Sequence, residues 1–148
     1  MSTELPLYGS GDSTYQSVGG EAGITRLVNR FYDLMDSLPE ARALRDMHPL
    51  DLTTSRQKLI YFLSGWMGGP KLFAEHYGSI SLPVAHAHLP VDVDSKAMWL
   101  HCMATALEQL DYPPELRAYL LGKFETPAES IRLMAEFEQS KKPQPSGL

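Results

Sequence analysis

Ile24, Leu27, Val28, Phe31 and Met35 recur at the three- and four-residue spacing of one helical face, whereas no stretch of the 148 residues alternates usefully with a period of two. A chain patterned in this way buries helices against helices, so the expected fold class is all-α. Gly19–Gly20 opens this first long helix as a flexible joint, with Tyr15 and Val18 just ahead of it. Tyr32 falls one turn beyond Val28 on the edge of the same face and carries a hydroxyl towards the core. Buried tyrosine hydroxyls usually find a partner, and a backbone carbonyl is the simplest one.

Punctuation residues divide the remainder. Ser37–Leu38–Pro39–Glu40 reads as a helix start with Ser37 as cap, and His48–Pro49 ends that short helix near Met47 because the residue before a proline leaves helical geometry. Thr54–Ser55–Arg56–Gln57 has the form of a capping box ahead of an apolar face of Leu59, Phe62, Leu63 and Trp66, which Gly68–Gly69–Pro70 terminates. Residues 71–77 form one more short helical piece, broken by Gly78. Asp92 to Ser95 offers several caps for a helix reaching about Leu110, with Trp99, Cys102, Met103, Ala106 and Leu110 inward and His101 outward. Tyr112–Pro113–Pro114 begins the last helical region, with Leu116, Tyr119, Leu120 and Phe124 inward. Thr126–Pro127–Ala128–Glu129 predicts a kink or break before Ile131, Met134 and Phe137. Residues 1–14 are expected to be a loose arm, 15–139 one folded domain and 140–148 a disordered polar tail.

Composition narrows the partners. A net charge of −5 with 43% apolar residues gives no electrostatic grip on nucleic acid or anionic lipid. The single cysteine, Cys102, closes no internal disulfide, and no stretch has the length of a membrane span or the form of a signal peptide. A cytoplasmic location is therefore expected. No phosphate-binding glycine loop, zinc spacing or Ser-His-Asp order is present, and few carboxylates accompany the apolar segments, so a hydrolase is poorly supported.

The chemistry concentrates at Leu82–Pro83–Val84–Ala85–His86–Ala87–His88–Leu89–Pro90–Val91, an apolar stretch holding two histidines and no acid. Burial there penalises the charged imidazole, leaving a neutral ring with a nitrogen free for a metal. One of the two is the candidate iron ligand. On a helix the two would point in different directions, so both do not easily reach the same iron. A lone histidine on such a segment is more often an ordinary hydrogen-bonded residue, and the Trp99 and Met103 stripe is more often plain core, so neither decides the matter alone.

Five segments in register carry a resemblance. Val18–Gly19–Gly20, Arg30–Phe31–Tyr32, the stretch Met47 to Leu52, the stretch Phe62 to Pro70 and the stretch Met98 to Met103 are similar to the successive signatures of the bacterial truncated haemoglobins of group II. The similarity spans about Tyr15 to Leu110. It implies a truncated globin fold, a two-over-two helical sandwich around haem b.

The resemblance also implies roles. Ungapped counting from either side puts the proximal histidine, the iron ligand, on His86, while the family's histidine-x-proline pattern fits His88–Leu89–Pro90. Haem contacts are expected from Lys58, Leu59, Phe62, Phe73, Tyr77, Leu82, His86, Leu89, Val91, Trp99 and Met103. Ala85 departs from the family where a basic residue commonly holds a propionate, a task left to Lys58 and Tyr77. On the ligand side stand Tyr32, His48, Ser55, Leu59 and Trp99, with Tyr32 and Trp99 as hydrogen-bond donors to bound dioxygen and His48 as a third if neutral in the right tautomer. Ser55 stands where many globins use a distal histidine. The expected activity is reversible binding of dioxygen or another diatomic ligand. The alternative is redox turnover of peroxide or nitric oxide, which needs a separate reductase. A monomer or weak dimer is expected.

Overall fold

A computed structural model describes residues 8–141, and among these every regular element is helical. The helices begin inside the segment read as a loose arm: α1 (Ser13–Ser17) packs Thr14 into the interior, where its Oγ1 accepts from the Gly9 amide at 2.8 Å. The Tyr8 ring lies 5.1 Å from that of Tyr119, so residues 8–14 are held by the domain rather than loose. Residues 1–7 and 142–148, which include most of the expected polar tail, lie outside the described residues.

Gly19 takes φ +102°, a conformation open to glycine at little steric cost, and α2 (Gly20–Ser37) starts from it. Ile24, Leu27, Val28, Phe31, Tyr32 and Met35 of α2 are buried as the periodicity predicts. Ser37 is not a cap. It is the last residue of α2, its hydroxyl donates to the Leu34 carbonyl at 3.4 Å, and a 3-10 turn (Pro39–Ala41) leads into α3 (Arg42–Arg45).

The entry to α4 (Thr53–Trp66) also differs from the expected capping box. Asp51 Oδ1 accepts from both the amide and the hydroxyl of Thr53, at 2.9 and 2.7 Å. Gln57 does not fold back, because its carbonyl oxygen accepts from the Tyr77 hydroxyl at 2.8 Å. At the other end Gly68 approaches the α1 entry so closely that a Cβ would meet the Gly11 carbonyl oxygen at 1.9 Å, which excludes any other residue.

Two short helices follow, α5 (Leu72–Tyr77) and α6 (Leu82–His86), then the long α7 (Val93–Gln109) and α8 (Pro114–Ser140). Asp92 caps α7 as expected, its carboxylate accepting from the Ser95 amide at 2.8 Å. Of the kink or break expected at Thr126–Pro127, the break does not occur: α8 runs through Pro127. An internal proline costs about 3 kcal/mol, and burial of Leu116, Leu120 and Phe124 before it and Ala135 after it offsets that cost. Phe137 points outward, 54% exposed, with the Lys141 ammonium over its ring.

The core lies where α2 packs on α4 and α7, and α7 on α8. The Tyr112 hydroxyl donates to the Val18 carbonyl at 2.7 Å, closing the start of α8 onto the glycine joint. On the outside, Lys96 of α7 pairs with Glu125 and Glu129 of α8, and Arg132 grips Glu129 at 2.6 and 2.8 Å. No helix of the described residues is long and apolar enough to cross a membrane.

Candidate functional site

α5 and α6 contain no buried residue, although the segment from Leu72 to Val91 carries leucines, valines, a phenylalanine and a tyrosine. Phe73, Leu82, Leu89 and Val91 are half-covered, Tyr77 is 42% exposed and Val84 is 64% exposed. In an otherwise well-packed helical domain, this much uncovered apolar surface in one segment marks a binding surface.

His86 ends α6 on that surface. Its Nδ1 lies 2.8 Å from the Leu82 carbonyl oxygen, an atom that can only accept, so Nδ1 carries a hydrogen and Nε2 is the nitrogen left for a metal. Metal-bound histidines are oriented in this way, by a second hydrogen bond from the other ring nitrogen. His88, in the turn beyond the helix, is exposed.

On the α2 side Tyr32 and His48 meet edge to face with ring centroids 5.8 Å apart, and His48 lies near enough to His86 to feel its charge. Phe31 lies 5.0 Å from the Tyr32 ring and 5.0 Å from that of Trp99, so the two expected donors flank one phenyl group. Burial, opposed in part by the nearby Arg56 guanidinium, pushes the Tyr32 hydroxyl up to about 12, so it stays protonated and able to donate. No backbone carbonyl receives that hydroxyl among the bonds of the described residues.

His48 departs from the expected role. Its Nδ1 sits 3.0 Å from the Leu44 carbonyl oxygen and must donate there, which makes Nε2 of the neutral ring an acceptor rather than a third donor. Burial holds its pKa below the usual histidine range; the Leu44 bond opposes this, while Arg45 and His86 add to it. Burial likewise pushes the Cys102 thiol up to about 11, so it remains a protonated core group rather than a thiolate.

The remaining predicted residues fall into two groups. Lys58, Leu59 and Phe62 line one side of α4, with the Lys58 ammonium 5.4 Å above the Tyr77 ring and Phe62 edge-on to Phe73 at 6.5 Å. Ser55 is half-buried in the first turn of the same helix. Met103, by contrast, is wholly covered by protein and lies in the core. The sequence reading passed over Met47 and Met98. With Leu44, Leu89 and Pro90 they line a cleft of about 660 Å³ between α3 and the start of α7. Each methionine directly precedes a residue singled out, His48 and Trp99, and that adjacency was the available signal.

A family model described as bacterial-like globin matches residues 13–132. The chain belongs to this family. Within it the chain is a group II truncated haemoglobin, 31% identical over 127 residues to the curated group 2 truncated hemoglobin YjbI of Bacillus subtilis, covering 86% of this chain and 93% of that one. Solved structures agree. The cold-adapted truncated hemoglobin of Pseudoalteromonas haloplanktis superimposes with a TM-score of 0.77 at 40% identity, covering 80% of this chain and 95% of that one. The group II 2-on-2 hemoglobin of Agrobacterium tumefaciens gives 0.78 at 32% identity, covering 89% and 98%. The fold is thus the truncated two-over-two globin, with α2 and α4 as one helical pair and α7 and α8 as the other.

Proposed function

We propose that this globin holds haem b between α4 and α6 and reversibly binds dioxygen, with His86 as the proximal ligand. The observation that carries the reading is the His86 to Leu82 hydrogen bond, which occupies Nδ1 and leaves Nε2 as the ring nitrogen available to a metal. Haem would bring most of the iron's ligands with it, so the one histidine at residue 86 would suffice to tether the metal. The half-covered apolar groups of α4, α5 and α6 suit a large flat apolar molecule, and Lys58 beside Tyr77 suits its carboxylate edge.

Ferrous haem supplies the electron density that a diatomic ligand takes up on binding. The chain's own residues supply the rest. Protonated Tyr32 and the Trp99 indole N–H donate hydrogen bonds to the ligand's partial negative charge, while neutral His48 accepts and so orients a donor beside it. Ser55, which offers no imidazole, leaves the ligand side open. A cytoplasmic oxygen-binding role follows, for a monomer or weak dimer.

A second reading, turnover of peroxide with electrons from outside, is favoured by one observation: aromatic rings run in contact from Trp99 to the surface at Trp66.

The test is the visible spectrum of protein reconstituted with haemin. His88→Ala is expected to keep the wild-type Soret band and His86→Ala to lose or shift it. The reverse pattern would overturn the assignment.

A further inference from the structure

We infer that the cavity between the α1 entry, the end of α4 and the middle of α8 is a binding site for small phenols, from which electrons reach the ligand pocket through Trp66, Phe124 and Trp99. This rests on the peroxide reading of the haem site and names its reducing substrate. The cavity holds about 490 Å³ and is lined by Trp66, Tyr119, Lys123 and Thr126 over a floor of glycines that includes Gly65 and Gly68. That is room for a single substituted ring. Two aromatic walls suit its face, and the Lys123 ammonium and Thr126 hydroxyl offer donors to its one oxygen. The glycines keep the floor low, and Gly68 is fixed by the close approach described above.

What separates this cavity from an ordinary surface hollow is its inner wall. Trp66 stacks on Phe124 with centroids 4.7 Å apart and planes 13° from parallel, and Phe124 meets Trp99 edge-on at 5.4 Å. Trp99 in turn adjoins Phe31 and, through it, Tyr32. Two readily oxidised indoles are therefore bridged by one phenyl ring, one indole at the cavity and the other at the ligand pocket. Tyr119 and Tyr8, 5.1 Å apart on the cavity side, extend the oxidisable set outward.

The overall reaction balances. Hydrogen peroxide takes two electrons and two protons and gives two waters as its O–O bond breaks. Two phenols in succession each give up one electron and one proton and leave as phenoxyl radicals. The electron passes along the ring chain, and the phenolic proton leaves to solvent at the open cavity.

Two measurements test the site and the relay separately. Guaiacol titrated into the holoprotein should shift the indole N–H resonance of Trp66 saturably, and should fail to do so in Thr126→Tyr, which fills the cavity. Trp66→Phe keeps a stacked ring on Phe124 but removes the oxidisable group. It should slow peroxide-dependent guaiacol oxidation at least fivefold while leaving the Soret band and dioxygen release unchanged. With peroxide alone and a nitroso spin trap, peptide mapping should find the adduct on Trp66. Absence of a saturable shift, or wild-type guaiacol oxidation in Trp66→Phe, would overturn the inference. Wild-type protein with a normal Soret band but no guaiacol oxidation would overturn it too. Failure of the haem reading itself would show instead as a colourless reconstituted protein.

Discussion

The Nδ1 of His86 lies 2.8 Å from the carbonyl oxygen of Leu82, one turn earlier on α6. The same geometry recurs at His48, whose Nδ1 lies 3.0 Å from the carbonyl oxygen of Leu44. Each imidazole thereby donates from Nδ1. At His86 the remaining Nε2 suits a metal; at His48 it suits a neighbouring hydroxyl.

The donors should control ligand release. A hydrogen bond to a charged or strongly polarised acceptor contributes about 1.5 to 3 kcal/mol, or a factor on the order of ten to a hundred in rate. Tyr32→Phe and Trp99→Phe are each expected to speed dioxygen dissociation by at least about tenfold in stopped-flow traces. Unchanged rates in both would remove the donor role.

His48 should make stability fall on mild acidification. Its pKa is held below the ordinary 6.5 in the folded chain, so the unfolded chain binds the proton more readily. The stabilisation is complete above 6.5 and is lost as pH falls towards the folded value. Urea midpoints measured across that window should decline in the wild type and decline less in His48→Phe.

A second acid-side loss should come from Glu129. Arg132 first, and Lys96 second, hold its carboxyl down to about 2 against an ordinary 4.5. Their contribution is present above 4.5 and disappears as pH falls towards 2. Arg132→Met should flatten the thermal midpoint's fall over that range, and high salt should weaken the effect because the pair is partly exposed.

Tyr112→Phe removes the hydroxyl that reaches Val18 at 2.7 Å and leaves that carbonyl without its donor. The expected loss is about 1 to 2 kcal/mol, read as a lower urea midpoint with an unchanged slope. Retention of the full wild-type midpoint would mean that the link between the glycine joint and α8 is carried by packing alone.

Much of this fold could be read from local pattern because several signals are local. The apolar face of α2 and the Asp92 cap of α7 each depend on residues within a turn or two of one another. Two of the misreadings have a different cause, competition from distant partners. Gln57 was free to close a capping box until Tyr77, twenty residues away, took its side chain. Thr126–Pro127 has every local mark of a helix start, but Phe124 stacks on Trp66 of α4, and packing on both sides of the proline carries α8 through. Ser37 lost its cap role because α2 extends to it. At the site, the tautomer of His48 was not legible, because Leu44 accepts its hydrogen only once α3 is folded. The cleft lined by Met47 and Met98 was hidden because it is assembled from two segments distant in the chain.

The most direct test of the iron assignment is rescue in trans. His86→Gly, reconstituted with haemin and reduced, should lose the wild-type spectrum and dioxygen binding, and added imidazole should restore both. A His86→Gly protein that shows the wild-type spectrum without imidazole would place the ligand elsewhere and contradict the account.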